Sequence, residues 1–535
     1  MTVTNRELHG LDAPLDEEIV LHAGPFEAIF EPARAYLRRV RINGVESVRN
    51  VYLHARGPDW ETVLPTVSNL QTKIGSDHFE LTWHAVHRQS GIDFEWTGTL
   101  TGSPSGIYYR CDGLAVHEFK TNRTGLCVLI PREFREMSAD IEHPDGSHSS
   151  VVLPNLIAPV EPLREMHTVA VGPVKLTFEG DTFEAEDQRN WTDASYKAYP
   201  LRGRRQPAYT LHERETVMDA VRIEAIEPPP IRQPTASHMT KGYNPLERPL
   251  VGATLANDRD DLSGLSVDFL RIELPHDAEV ARHMMDHARS ASLPLQIVVP
   301  SGGTPPELHP NEAMIAADAR RRPEGPSSVW LGAGSFDGFN MGRHEAAGFD
   351  GVEVSVTPQI HTFDERSILE NAATLADVLR SLQALVPGAK FGLNVHLRGD
   401  GPDPRLESLF GALWILRSYS AASEFGEAHI TLGSTAEMRH PALIALLREL
   451  TGKSTYRPAA NATPAEIVTL AASDGGFNSV LVGNLLRTPK PMPIPAHATS
   501  LRHLTPAGWR EGQVAPNMSL APYEIVAITS KALKT

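Results

Sequence analysis

Between Phe178 and Tyr199 the chain reads FEGDTFEAEDQRNWTDASYKAY, with six carboxylates, Arg189, Lys197, two side-chain amides and Trp191 in one short stretch. Such a mixture suits a polyol. Carboxylates and amides accept from and donate to vicinal hydroxyls, and a tryptophan offers a ring on which a sugar face can stack. The stretch also holds the parts for opening an ester or lactone, which needs a base for water and donors for the developing oxyanion. Glu184, Glu186 and Asp187 are candidate bases, because crowded like charges raise a carboxyl pKa toward neutrality. Arg189, Asn190 and Lys197 are candidate oxyanion donors, and Trp191 and Asp193 candidate substrate contacts. On a strand, Thr182, Glu184, Glu186, Gln188 and Asn190 share one face, and Asp181, Phe183, Ala185, Asp187, Arg189 and Trp191 the other. Neither face reads as core along its whole length. The bland alternative is a solvated hairpin whose acids pair with Arg189 and Lys197.

A second group of candidates follows strand-like runs further on. After GVEVSV (351–356) come Gln359, His361 and Asp364, with His361 a candidate acid or base and Gln359 a substrate contact. Asp364 is equally well placed to cap a helix beginning near Ser367. His396 and Arg398 follow KFGLNV, and Glu273 ends FLRIEL with His276 beyond it, although Pro275 there suggests a plain turn. His429, inside AHITL, reads as a core residue.

Three regions must position these groups. Up to Ile226 the chain is a succession of short runs rich in β-branched and aromatic residues, punctuated by Gly, Pro, Asn and Asp, which predicts a large β-sandwich over 1–226. The stretch EPPPIRQPTASHMTKGYNPLERP, dense in proline, predicts a linker over 227–249. From 250 to 456 strand-like runs alternate with helix-like segments, the pattern of a TIM-like (β/α) barrel. Seven such strands are legible, VGATLAN, FLRIEL, LQIVVP, VWLGAG, GVEVSV, KFGLNVHL and AHITL, one fewer than a complete barrel requires. From 457 to 535 the pattern returns to β, predicting a small C-terminal sandwich.

Composition excludes several classes. A formal charge of −16 over 535 residues argues against binding along a nucleic-acid backbone. No window approaches the roughly 20 apolar residues of a membrane span, and the N-terminus lacks the basic and apolar regions of a secretory signal. The expected location is cytoplasmic. Two cysteines, Cys111 and Cys127, make neither a disulfide framework nor a zinc site, and read as core thiols. WLGAGSFDG misses the dinucleotide fingerprint by one residue, and there is no nucleophile elbow, H-E-x-x-H or P-loop. No cofactor and no metal are expected.

The string EGDTFEAEDQRNWTDASYKAY resembles the N-terminal domain signature of the D-apionate lactonase family, and TNRTGLCVLIP (121–131) and PQIHTFDERSILEN (358–371) are similar to further parts of its pattern. The resemblance implies a sandwich, a barrel and a small β domain. It also implies hydrolysis of D-apionolactone or a related sugar lactone to the aldonate, with the lactone as the small-molecule partner. Acidic residues are implied at some barrel strand ends; VVPSGG (298–303) and TLGSTAE (431–437) carry Ser and Gly there instead. Two alternatives stay open: a glycoside hydrolase on the same scaffold, which needs two carboxylates flanking the scissile bond, and a catalytically silent carbohydrate-binding protein.

Overall fold

The computed structural model describes residues 3–202, 208–227, 248–275, 277–300, 327–342, 348–397, 403–425, 428–452, 457–458, 466–473, 477–494 and 497–531. The proline-rich stretch, from 228 to 247, lies outside them, as do His276 and Arg398. By their contacts the residues form two bodies. One takes Asp16–Arg189 and the chain from Ala194 to 227; the other takes the residues before Asp16, the four residues Asn190–Asp193, and the chain from 248 onward. A division by sequence runs alone would have left the first fifteen residues and Asn190–Asp193 with the sandwich.

The first body holds two nine-stranded antiparallel sheets and a two-stranded one, Phe119–Thr121 with Tyr209–Leu211. Burial alternates along its longest strands, as in Phe79–Gln89 and Ile92–Ser103, so one face of each strand enters a common core. Trp83 and Trp96 meet edge to face there at 5.7 Å, with Phe30 and Tyr109 against Trp83. Cys111 lies in this core; Cys127 is buried on the opposite face of its sheet, beside Tyr36, Tyr52 and Tyr199. Both thiols are free, as read from the sequence.

The second body contains a closed barrel of seven parallel strands, Leu250–Thr254, Phe269–Glu273, Leu295–Pro300, Ser327–Ala333, Gly351–Val356, Lys390–Val395 and His429–Ser434. These are the seven runs legible in the sequence, and the ring closes without an eighth through pairing of the first with the seventh. Among the helices outside it, Ala278–Arg289 starts at Asp277, whose carboxylate accepts from the amides of Glu279 and Val280. Helix Leu409–Ala422 is mostly apolar and almost wholly buried. At the C-terminal end of the chain a six-stranded and a two-stranded sheet enclose a core of Val482, Leu501, Leu520, Val526 and Ile528.

The barrel lumen is polar as well as aromatic. Arg271 on the second strand reaches Glu353 on the fifth at 2.7 Å. Gln296 on the third donates to the other Glu353 oxygen at 2.7 Å. The Gln296 carbonyl oxygen in turn accepts from His429 Nδ1 at 2.7 Å. Phe269 and Trp330 pack on the His429 ring, with centroids 4.9 and 4.6 Å away. Space for these rings comes from Gly252, where a Cβ would stand 2.3 Å from the Phe269 ring. His429 is thus a core residue, and burial lowers its pKa from 6.5 to about 4. His87, buried in the sandwich, is lowered to about 4 for the same reason.

A histidine held neutral in the fold contributes stability that is complete above its unfolded pKa near 6.5 and is lost as pH falls toward the folded value near 4. At pH 5 the loss from one such ring is about 2 kcal/mol, at ~1.4 kcal/mol per unit of pH. The drop in thermal midpoint between pH 7.5 and pH 5 should therefore shrink in His429→Gln, which keeps an amide donor and does not titrate. An unchanged drop would show that the lumen admits the charged ring.

Candidate active site

The acidic stretch divides at Asp187. The strand is short, Phe183–Asp187, and Phe183 and Ala185 on one of its faces enter the sandwich core, while Asp187 on the same face does not. The chain then turns through a 3-10 segment, Gln188–Trp191, so the strand alternation expected to run on to Trp191 ends here. Asp187 and Arg189 are fully buried and doubly bonded to each other, Nε to Oδ1 at 2.8 Å and Nη2 to Oδ2 at 2.7 Å. Arg189 also donates to the carbonyls of Pro154 and Asn155 and lies over the Tyr196 ring. These bonds tie the strand end to the backbone at Pro154 and Asn155 within the sandwich.

Glu184 accepts from the Tyr199 hydroxyl at 3.1 Å. Glu186 stands opposite Lys197 across the strand pair and accepts from the Gln188 amide. Burial pushes the Glu186 carboxyl above its ordinary range, while Lys197 and Arg123 pull it back. Asp187 does pair with Arg189, as the bland reading had it, but the side chains of Glu184, Asp187, Arg189 and Lys197 are buried and not solvated.

Asn190–Asp193 makes its contacts with the barrel body. Asn190 Oδ1 accepts from Asn340 at 2.7 Å. Thr192 sits at φ 62°, a left-handed conformation that a β-branched residue rarely adopts. Its hydroxyl donates to the Thr357 carbonyl at 2.7 Å, just past the fifth barrel strand. Asp193 Oδ2 accepts from His361 Nδ1 at 2.6 Å, and Oδ1 accepts from Asn371 at 2.8 Å. Asn371 also donates to the Pro358 carbonyl, tying the loop to the helix that follows it. The side chains of His361 and Asp193 are 10% and 9% exposed. Trp191, 37% exposed, presents its ring to the edge of the His361 imidazole at 6.3 Å.

The fifth strand and its loop hold His361 from the other side. Gln359 is wholly buried. Asp364 caps helix Glu365–Asn371 through the Ser367 amide at 2.9 Å, so its carboxylate serves the helix. His396 ends the sixth strand with its amide on the Val356 carbonyl. Its neighbour Asn394 donates to the Ser355 hydroxyl. Of the residues singled out in the sequence, the structure thus gathers Trp191, Asp193, Gln359, His361 and His396 at the end of the fifth strand, with Asn190 on Asn340 in the helix after the fourth. Glu184, Glu186, Asp187, Arg189 and Lys197 belong to the sandwich.

Three groups escaped the sequence reading. Asn371 was hidden inside a helix. Glu353 and Arg271 are buried charges in the barrel interior, where burial pushes the Glu353 carboxyl up against the pull of Arg271. Their signal was present: FLRIEL, LQIVVP and GVEVSV each carry a charged or amide side chain inside an apolar run. In TLGSTAE the acid lies three residues past the strand, where Glu437 accepts from the amide and hydroxyl of Ser434. Among the described residues no group of three His, Cys, Asp or Glu is placed to hold a metal, and no helix is long and apolar enough to cross a membrane.

Two family descriptions match the chain, the D-apionate lactonase N-terminal domain over residues 6–228 and the D-apionate lactonase TIM barrel domain over 275–396. The chain belongs to the D-apionate lactonase family. A D-apionate lactonase from Brucella anthropi is 25% identical over 415 residues, 65% of this chain and 68% of that protein. Asp193 falls within the N-terminal match of the family and His361 within the barrel match. Among solved structures, a β-arabinopyranosidase aligns over 96% of this chain and all of its own at 10% identity and a TM-score of 0.32. An α-galactosidase from Geobacillus stearothermophilus does so over 96% and 100% at 9% and 0.27. Likeness at that level identifies neither fold nor reaction.

If Asp187 and Arg189 are a clamp, Arg189→Met leaves a buried carboxylate without its partner and costs about 3–5 kcal/mol. The expected result is a lowered thermal midpoint for the sandwich. A direct part in chemistry would instead show as lost activity at an unchanged midpoint.

Proposed function

We propose that this chain opens a five-membered sugar lactone, D-apionolactone or a related aldonolactone, to its aldonate, with His361 as general base. The observation that carries the reading is the 2.6 Å bond from His361 Nδ1 to Asp193, at the C-terminal end of a barrel strand in a chain of this family. Active sites of such barrels lie at that end.

With a carboxylate accepting at Nδ1, the imidazole proton sits there and Nε2 carries the lone pair. Nε2 takes a proton from water as the oxygen attacks the lactone carbonyl carbon. The tetrahedral intermediate then collapses with cleavage of the ring C–O bond, and the imidazolium returns the proton to the departing alkoxide. Asp193 steadies the imidazolium between those steps, and Asn371 keeps Asp193 from turning away. The exposed Trp191 ring beside His361 gives the sugar a flat surface.

Proton release should be followed on mixing the protein with D-apionolactone and a panel of pentono- and hexonolactones, with and without chelator. Acid should form above the spontaneous rate. His361→Ala should lower kcat by ~10²–10⁴-fold, the usual worth of a positioned base, and Asp193→Asn should lower kcat more than it alters KM. If Glu186→Gln abolishes turnover and His361→Ala does not, the base is the sandwich carboxylate. Thermal stabilisation by a lactone that stays unopened would mark a carbohydrate-binding protein.

A further inference from the structure

The barrel holds a line of polar side chains that the reaction above does not use. It runs from His429 at the start of the seventh strand through Gln296 and Glu353 to Arg271, and ends at Glu273 on the last residue of the second strand. Arg271 and Glu353 are 3% and 2% exposed, whereas the Glu273 side chain is 54% exposed. Arg271 Nη2 donates to Glu273 Oε2 at 3.0 Å, and among the described residues it is this carboxylate's only donor. Residues 271 and 273 share one face of their strand. Arg271 crosses the lumen to Glu353, so Glu273 lies on the lumen side and opens to solvent at the C-terminal end.

The position is specific. In a ring of seven strands the second and the fifth are separated by two strands on one side and three on the other, and the Arg271–Glu353 bond spans that width. Glu273 at the end of the second strand therefore stands across the mouth from the loop after the fifth, which carries His361. An ordinary ion pair at a strand end would order two flexible side chains for little gain. Here Arg271 is already fixed by Glu353, so aligning Glu273 costs little further side-chain entropy.

The geometry points to Glu273 as a substrate-binding residue that accepts hydrogen bonds from the hydroxyls of a polyhydroxylated lactone, with Arg271 as its positioning residue. The assignment rests on the lactonase reading for the identity of the reaction, and names the part of the substrate held opposite the base. Carboxylate oxygens accept only from donors, so the group selects hydroxylated lactones over the bare ring.

The test compares wild type with Glu273→Gln on D-apionolactone and on unsubstituted γ-butyrolactone, and measures D-apionate binding by calorimetry. The ratio of kcat/KM for the hydroxylated over the bare lactone should fall about 10–100-fold, as expected for losing a charged hydrogen bond. The fall should appear mainly in KM, and D-apionate affinity should drop in parallel. Glu273→Asp, which keeps the charge on a shorter stem, should recover part of the ratio. An unchanged ratio, with both substrates affected alike or neither affected, overturns the assignment. If wild type opens no lactone yet binds D-apionate more tightly than Glu273→Gln does, the binding role stands and the lactonase reading fails. If wild type neither binds nor hydrolyses these compounds, both fall.

Discussion

The 2.6 Å hydrogen bond between His361 and Asp193 is the contact on which the candidate site depends. It fixes the tautomer of the imidazole, aims the ring, and joins two segments 168 residues apart in the chain. Neither partner is held by that bond alone. Asn371 secures the second Asp193 oxygen, and the same side chain reaches the Pro358 carbonyl in the loop that carries His361. One amide therefore sets the separation of Asp193 from the His361 loop. Thr192 adds a further tie, at the cost of a left-handed backbone of roughly 1–3 kcal/mol. Strain of that kind persists only where several contacts over-determine the conformation, and here they converge on a dyad.

The barrel interior shows a related constraint. A buried ion pair is rarely a stabilising choice, since desolvation of two charges offsets most of their attraction. Hydrophobic side chains of the same volume would fill the lumen at least as well. Keeping Arg271, Glu353 and Gln296 there makes physical sense if a fixed direction is needed at the mouth, because both Glu353 oxygens accept and Arg271 is held between two carboxylates. His429 anchors its lower end as a neutral ring.

Much of this was legible in the sequence. Seven apolar runs separated by helical patterns located all seven barrel strands, because parallel strands buried on both faces read as continuous apolar segments. In the N-terminal region short runs rich in β-branched and aromatic residues, set between turn residues, marked the sandwich. The acidic stretch was harder. Its density of charge signalled that it was unusual, but strand periodicity cannot show a 3-10 turn at Gln188, and that turn, which carries Arg189 and Trp191, leads the chain from Asp187 to Asp193. Asp364 shows the same limit: an acid directly before a helix and three residues after a histidine fits catalysis and capping equally, and only the structure shows its bond to the Ser367 amide.

What separates the site from its surroundings is how each polar group is satisfied, not its type. Asp187 and Asp193 lie six residues apart and both are buried, but Asp187 faces a guanidinium that meets its carboxylate with two parallel bonds. Such a fork holds the carboxylate through both oxygens and serves architecture. Asp193 meets an imidazole through one oxygen and a neutral amide through the other, so its charge remains to be balanced when the ring gains a proton. A carboxylate already neutralised by arginine would stabilise an imidazolium far less. The environment of each acid thus follows from the partner it meets, and the acid that meets a histidine is Asp193, past the densest part of the charged run.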